Sequence, residues 1–398
     1  MIAHPHIATA DTPTKQTKQI TRLVFHIGDP KTGSSSIQQT LFSRRWSSSG
    51  HTIAYPDTLN ALPIAQALKQ SPDKTVNAFK KIRKWLDGQT ADAAVISAEH
   101  FSSVKPELLK TAIDQFLPAY SGQIEVVAYA RPHLSRLVSS YNQRVKERGL
   151  QQSFNRFCLD AAKKGKFRFH ERFLEWRTVF GGHFTLRPMI RSSLYKEDVV
   201  SDFLREILKT EDFEVHENHR ANVSPTLDHL ACLIEAHKAF TNERIPENVR
   251  HVFGRVLSDR LTAAPATPGD RLQMPTSLLP RLQQAFAQDA AALDATFFGD
   301  PLFSEELNKT GNTTTDAQPL KAIKRFSRME MRDLEIIVAR LAKTVSEDPE
   351  GWKRQVRQRR RQIPEASSKA SSDIIGLVKD TDAHIEDLRR LLANAAKQ

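Results

Sequence analysis

The chain predicts an α/β fold, a three-layer arrangement with a parallel sheet covered by helices on both faces, followed by a helical extension. Three observations carry this. Short β-rich runs alternate with helical periodicity through the first half of the sequence. Two of the runs, AAVIS at 93–97 and IEVVAYA at 124–130, are apolar on both faces, as strands buried in a parallel sheet are. Past about residue 215 the alternation stops and only helical periods remain.

The elements follow in order. Residues 22–27 form a first strand ending at Gly28, and 34–46 read as a helix. Residues 52–55 are a brief strand, with helices over 60–69 and 73–87. The strand at 93–97 leads to a helix over 106–117, and the strand at 124–130 leads to a long helix over 133–147. A helix over 169–180 and a strand over 183–187 close the alternating part. Such alternation builds right-handed βαβ units. Helices then follow at 225–241, 246–262, 277–292, 319–344 and 370–396, with a Pro-rich loop at 264–269 and a polar linker at 308–318. The expected organisation is a disordered lead-in at 1–20, an α/β core at 21–215, a helical part of the same domain at 216–307, and a linker with a basic helical tail at 308–398.

Composition narrows the function classes. The net charge is +12 over 398 residues, which favours anionic partners without choosing among them. Two cysteines, Cys158 and Cys232, with no metal-ligand spacing exclude a disulfide framework and a Cys-based metal site, and favour a reducing compartment. No apolar run reaches membrane-spanning length, and the first residues lack a signal-peptide core, so a cytoplasmic location is expected.

The chemistry gathers in two places. In LVFHIGDPKTGSSSIQQTLF, Gly28, Pro30, Lys31, Thr32, Gly33 and Ser34, Ser35 and Ser36 lie between a strand and a helix. Glycines let the backbone wrap an anion, the helix N-terminus offers free N–H groups, the serines add hydroxyls and Lys31 adds a full charge. This is a P-loop-like phosphate site, although not a Walker A motif, whose lysine follows the last glycine. The alternative is a Gly/Ser turn that only caps a helix. In VVAYARPHLSRLVSSYNQRVKERG, Arg131 sits just past a buried strand and Ser139 comes eight residues later, about two helical turns on. The two can converge on one anion.

The order Pro30-Lys31-Thr32-Gly33-Ser34-Ser35 resembles the 5'-phosphosulfate loop of the PAPS-dependent sulfotransferases. Arg131 with Ser139, and an aromatic at Tyr141, resembles the 3'-phosphate site of the same family. The likeness spans about residues 22–190, in the style of bacterial members acting on carbohydrates. It implies a nucleotide-binding transferase with PAPS (3'-phosphoadenosine-5'-phosphosulfate) as donor, no metal, and a hydroxyl acceptor, with carbohydrate favoured. It also implies that Lys31 stabilises the leaving oxygen, that the amides of 32–36 hold the 5'-phosphate, and that Arg131 and Ser139 hold the 3'-phosphate. The Gly- and Lys-rich lid of the eukaryotic cytosolic members is not recognisable here. His219, Arg220 and Asn222 are the candidates to close over the nucleotide.

A general base is still needed, and Glu99 and then His100, at the end of the 93–97 strand, are the candidates; the alternative is that both only satisfy loop amides. Lys163, Lys164, Lys166, Arg168 and Arg172 read either as a groove for an acidic glycan or as a solvated face. The run WKRQVRQRRRQ, 352–362, reads either as a peripheral contact with anionic lipid at the inner membrane surface or as a solvated helix; no aromatic pattern accompanies it, so nucleic acid is not expected. His4 and His6, in the lead-in, are expected to be inert. Two rival functions remain open, a P-loop kinase-like nucleotide enzyme and a non-catalytic relative that binds nucleotide or glycan.

Overall fold

The computed structural model describes residues 20–216, 224–263, 269–309, 313–361 and 372–395. The lead-in, with His4 and His6, and the trio His219, Arg220 and Asn222 lie outside these residues. The chain divides into two compact units, one of residues 1–130 and 172–219, the other of 131–171 and 220–398.

The first unit is built on a five-stranded parallel sheet. Its strands are β1 (Arg22–His26), β3 (Ile53–Ala54), β4 (Ala93–Ser97), β5 (Ile124–Ala130) and β6 (Phe184–Pro188), in the order β3-β4-β1-β5-β6. The register pairs Val24 with Val95 and with Glu125, and Phe25 with Ile96 and Val126. Period-2 alternation then splits the sheet into two apolar faces. Val24, Val95, Val127 and Tyr129 face α1 (Ser34–Phe42) and α8 (Val199–Leu208), which bring Ile37, Leu41, Phe203, Leu204 and Ile207 into one core. On the opposite face Phe25 meets Phe101 edge-on, and α7 (His170–Phe180) stacks Phe173 and Trp176 on Phe184. The three layers are present.

The chain passes from β1 to β3 and β4 on one side, then crosses to β5 and β6 on the other, so the strand order reverses beside the carboxyl end of β1. In open α/β sheets this is where ligands bind. The remaining helices of this unit are α2 (Leu62–Gln70), α3 (Pro72–Asp87) and α4 (Pro106–Phe116). A short antiparallel pair, β2 (Trp46–Ser47) with β7 (Glu214–Val215), cuts the first helix short: it ends at Phe42 rather than 46, with Arg44 in a left-handed conformation.

The second unit is helical. It begins with α5 (His133–Arg148) and α6 (Phe154–Lys163) and continues with α9 (Leu227–Asn242) and α10 (Glu247–Thr262). A two-residue strand β8 (Met274–Pro275) precedes α11 (Leu279–Leu293) and α12 (Leu302–Asn308), and β9 (Thr313–Thr314) pairs with β8. The chain closes with α13 (Arg328–Glu347), α14 (Pro349–Arg361) and α15 (Ser372–Ala395). Phe240 of α9 stacks on Phe253 of α10 with centroids 3.9 Å apart, and buried Trp352 of α14 lies beyond. Gly254 lets α10 approach α5, since a Cβ there would stand 1.9 Å from the Lys146 carbonyl. Cys158 and Cys232 are buried free thiols, pushed up in pKa by desolvation.

Three boundaries differ from those the sequence predicts. Residues 131–171 segregate with the C-terminal helices, because α5 and α6 bury their apolar faces on α9, α10 and α11. The stretch past 308 is not a tail: Leu334, Val338 and Leu341 of α13 are buried, and α13 packs on α9 and α15. That helix starts at Arg328 rather than 319, fixed by a capping box in which Ser327 receives the Glu330 N–H and the Glu330 side chain receives the Ser327 N–H.

Candidate functional site

The carboxyl end of β1 opens into the loop of residues 28–33. Three features shape it. Gly33 is the N-cap of α1 in a left-handed conformation, φ 83° and ψ 3°, and offers no side-chain cap. A Cβ there would stand 2.6 Å from Val199 Cγ1, so glycine is required for conformation and for space. Lys31 is also left-handed, at φ 71°. A non-glycine residue in this region is sparsely populated, and it clusters at ligand-binding turns. Thr32 is buried and its hydroxyl donates to the Asp29 carbonyl at 2.5 Å, which ties the turn to itself.

The loop also carries an acid. Asp29 is buried, and its carboxylate accepts from Arg172 Nη2 at 2.7 Å. Arg172 lies in turn over the Phe173 ring, 4.7 Å from the centroid. The ion pair keeps a buried negative charge from opposing an incoming anion. Arg172 therefore separates from the basic cluster in which the sequence places it. Lys163, Lys164, Lys166 and Arg168 are exposed, as in the solvated-face alternative.

The eight loop residues differ in what they present. Pro30 and Lys31 are half-buried, Ser35 is exposed and Ser36 half-exposed. Thr32 has its side chain engaged inside the turn, so only its backbone faces outward chemistry. Ser34 is 1% exposed, and its hydroxyl has no hydrogen-bond partner among the described residues. The uncapped N-terminus of α1, with the Ser35 and Ser36 hydroxyls on its first turn, fits an anion.

Beside the loop, the Ala98 N–H donates to the His26 carbonyl at 3.1 Å, continuing the pairing of β4 with β1. Glu99 and His100 follow at once, opening a 3-10 turn (Glu99–Ser103) at the same sheet edge as the loop. Glu99 is half-buried and His100 exposed; their carbonyls accept from the Ser102 and Ser103 hydroxyls.

In the second unit, Arg131 is the residue after β5 and stands just before α5. Its Nε donates to Ser135 Oγ at 3.3 Å and its Nη1 to Ser139 Oγ at 3.4 Å. The eight-residue spacing thus brings Arg131 and Ser139 together, with Ser135, which the sequence reading missed, one turn between them. Burial, and then the neighbouring charge of Arg136, lower the Arg131 pKa. Arg136 is itself buried, and its Nη1 donates to Ser140 at 3.1 Å. The half-buried Arg131 guanidinium, with the Ser135 and Ser139 hydroxyls beside it, suits an anion. Tyr141 is not part of this surface. It is 1% exposed, packs between Phe154 and Phe157, and donates its hydroxyl hydrogen to the Gln152 carbonyl at 2.7 Å.

The basic run divides between a buried lysine and exposed arginines. Among its described side chains, Lys353 is buried and paired with Glu350 at 2.7 Å, Arg359 is exposed and paired with Asp382 at 2.8 Å, and Arg354 and Arg357 are exposed. Among the described residues no cluster of metal-ligating side chains occurs, and no helix is long and apolar enough to cross a membrane.

No protein-family model matches the chain, and no curated protein sequence does. Among solved structures, the chain is similar to a sulfotransferase from Alicyclobacillus acidocaldarius, at 14% identity and a TM-score of 0.41, over 72% of this chain and 98% of that one.

Proposed function

We propose that the chain is a sulfotransferase that moves a sulfuryl group from PAPS to an acceptor hydroxyl, on a carbohydrate or glycoconjugate. The observation that carries this is Arg131, a half-buried guanidinium just past the end of a central strand, bonded to Ser135 and Ser139. A 3'-phosphate distinguishes this donor from ordinary nucleotides, and an arginine with two serines is a group to recognise it. The loop at 28–36 supports the other half of the reading, with backbone amides of 32–36 and the Ser35 and Ser36 hydroxyls for the 5'-phosphate.

The donor supplies the activated sulfuryl group, and the protein's part is positioning and charge stabilisation. The Lys31 ammonium stabilises negative charge as it builds on the bridging oxygen. Glu99 takes the proton from the acceptor hydroxyl, with His100 as the second candidate. The exposed Arg354 and Arg357 are proposed to give a peripheral contact with an anionic membrane surface, for a protein acting in the cytoplasm.

The test is calorimetric titration with 3',5'-adenosine bisphosphate, 5'-AMP and ATP-magnesium. Tight binding of the bisphosphate, weaker binding of 5'-AMP, and loss of that difference in Arg131→Ala are expected. Preference for ATP-magnesium would move the chain to a kinase-like class.

A further inference from the structure

Beneath the phosphate loop lies a buried polar cluster that the chemistry above does not use. His26 is the last residue of β1 and is fully buried. Its Nδ1 lies 2.8 Å from Ser97 Oγ, at the end of β4, and Gln38 Nε2 from α1 donates to the same oxygen at 3.0 Å. Tyr55 also hydrogen-bonds Ser97, and gives its own hydroxyl hydrogen to the Leu59 carbonyl at 2.9 Å.

Counting hydrogens fixes the state of the imidazole. Tyr55 has one hydrogen, and it is on the Leu59 carbonyl. Ser97 must therefore donate to Tyr55, which uses the only hydrogen Ser97 has. The Ser97 oxygen then accepts from Gln38 and from His26. His26 carries its hydrogen on Nδ1 and a bare lone pair on Nε2. Burial keeps the ring neutral, with its pKa pushed down to about 3.

Nε2 of His26 has no hydrogen-bond partner among the described residues, and neither has Ser34 Oγ. The two atoms surround one point, the place a side chain on Gly28 would take: Ser34 Oγ is 2.2 Å from it and His26 Nε2 3.4 Å. One atom has a hydrogen to give and the other a lone pair to fill. The missing side chain of Gly28 keeps the space between them open.

We propose that His26 is a positioning residue of the phosphate loop, whose Nε2 receives the Ser34 hydroxyl hydrogen when an anion settles at the start of α1. The bond pins the first turn of α1 to the end of β1, so that Ser34 points its hydrogen inward while Ser35 and Ser36 serve the ligand. This rests on the loop being the anion site of the proposed function.

The experiment is titration of the full chain with 3',5'-adenosine bisphosphate and with 5'-AMP, for wild type, His26→Asn, His26→Gln, Ser34→Ala and the His26→Asn/Ser34→Ala double variant. Asparagine retains a polar group near the Nδ1 position and has nothing at Nε2; glutamine carries its carbonyl oxygen toward Nε2. His26→Asn and Ser34→Ala should each weaken both ligands about tenfold, and the double variant about tenfold rather than about a hundredfold. His26→Gln should stay within about threefold of wild type. Multiplying losses in the double variant, or His26→Gln as weak as His26→Asn, would overturn the proposal. If His26→Asn does not fold, the His26 Nε2 nitrogen resonance decides: it should move on adding 5'-AMP to wild type and stay still in Ser34→Ala, and a resonance indifferent to Ser34 overturns the proposal. Coupling that persists while the bisphosphate is bound no better than 5'-AMP would sink the sulfotransferase assignment and leave the role of His26 standing.

Discussion

Replacing Gly33 by alanine perturbs the loop in two ways that can be separated. The residue sits at φ 83°, where a Cβ costs about 1–2 kcal/mol. The new Cβ would also stand 2.6 Å from Val199 Cγ1 and 3.1 Å from Cγ2, at the first residue of α8. Overpacking of this kind costs about 1–3 kcal/mol. The expected destabilisation of the first unit is therefore about 2–5 kcal/mol. Val199→Ala removes the obstructing carbons, so in the double variant the steric part should return and the conformational part should remain. Urea unfolding followed by tryptophan fluorescence measures this, since Trp46, Trp85 and Trp176 lie in the first unit and only Trp352 in the second. Titration with the bisphosphate on the same samples should show weakened binding, because α1 and α8 must part to admit the methyl group, which shifts the loop. A Gly33→Ala loss under about 0.5 kcal/mol, or strict additivity with Val199→Ala, would refute the reasoning.

Three further outcomes are expected. Glu99→Gln should lower turnover by about 10²–10⁴ with donor affinity kept, read from steady-state kinetics beside calorimetry. Arg172→Met removes the guanidinium that pairs with Asp29 inside the 28–33 loop, so, on the proposed function, bisphosphate binding should weaken about tenfold or more, and adding Asp29→Asn should restore much of it. Burial lowers the pKa of His26 to about 3, and of His229 and His237 to about 4, from 6.5. Their folded-state pKa values lie below the unfolded ones, so the stability they contribute is full above pH 6.5 and falls as the pH drops toward 4 and then 3, by about 1.4 kcal/mol per pH unit for each histidine. Urea midpoints measured from pH 7 to pH 4 should show that slope, and His237→Gln should flatten it.

Much of the sheet was legible because its central strands are largely apolar runs bounded by turn residues. AAVIS and IEVVAYA match β4 and β5 to the residue. Arg131 and Ser139 were legible as a pair because Arg131 stands just ahead of the helix that carries Ser139, where spacing fixes direction. The helix α8 was not anticipated, although its apolar face closes the core over β1 and β5; VVSDFLREIL is short and follows an irregular stretch in which Lys196 and Glu197 are both left-handed. The segregation of 131–171 with the later helices had no local signal, since it depends on distant contacts such as that of His133 with Asp289, 156 positions on. The same holds inside the site. Asp29 with Arg172, and His26 with Ser97, are separated by 143 and 71 residues, and no spacing rule relates them.

The loop divides into residues that shape it and residues that face outward, and that division explains its strain. Lys31 in a left-handed conformation costs on the order of 1–3 kcal/mol, which persists only where neighbours over-determine the turn. They do so from both sides. Ahead of it, Asp29 is held by Arg172 and its carbonyl by Thr32; behind it, Gly33 starts α1 against Val199. Relaxing Lys31 would break the Thr32 bond or lift α1 from α8. A loop whose only task was to connect β1 with α1 could take glycine at this position and avoid the cost. Lysine there brings a charge to the one point where the strand order of the sheet reverses, between the amides of α1 and the turn that begins with Glu99. The strain is therefore better explained by the charge it positions than by the connection it makes.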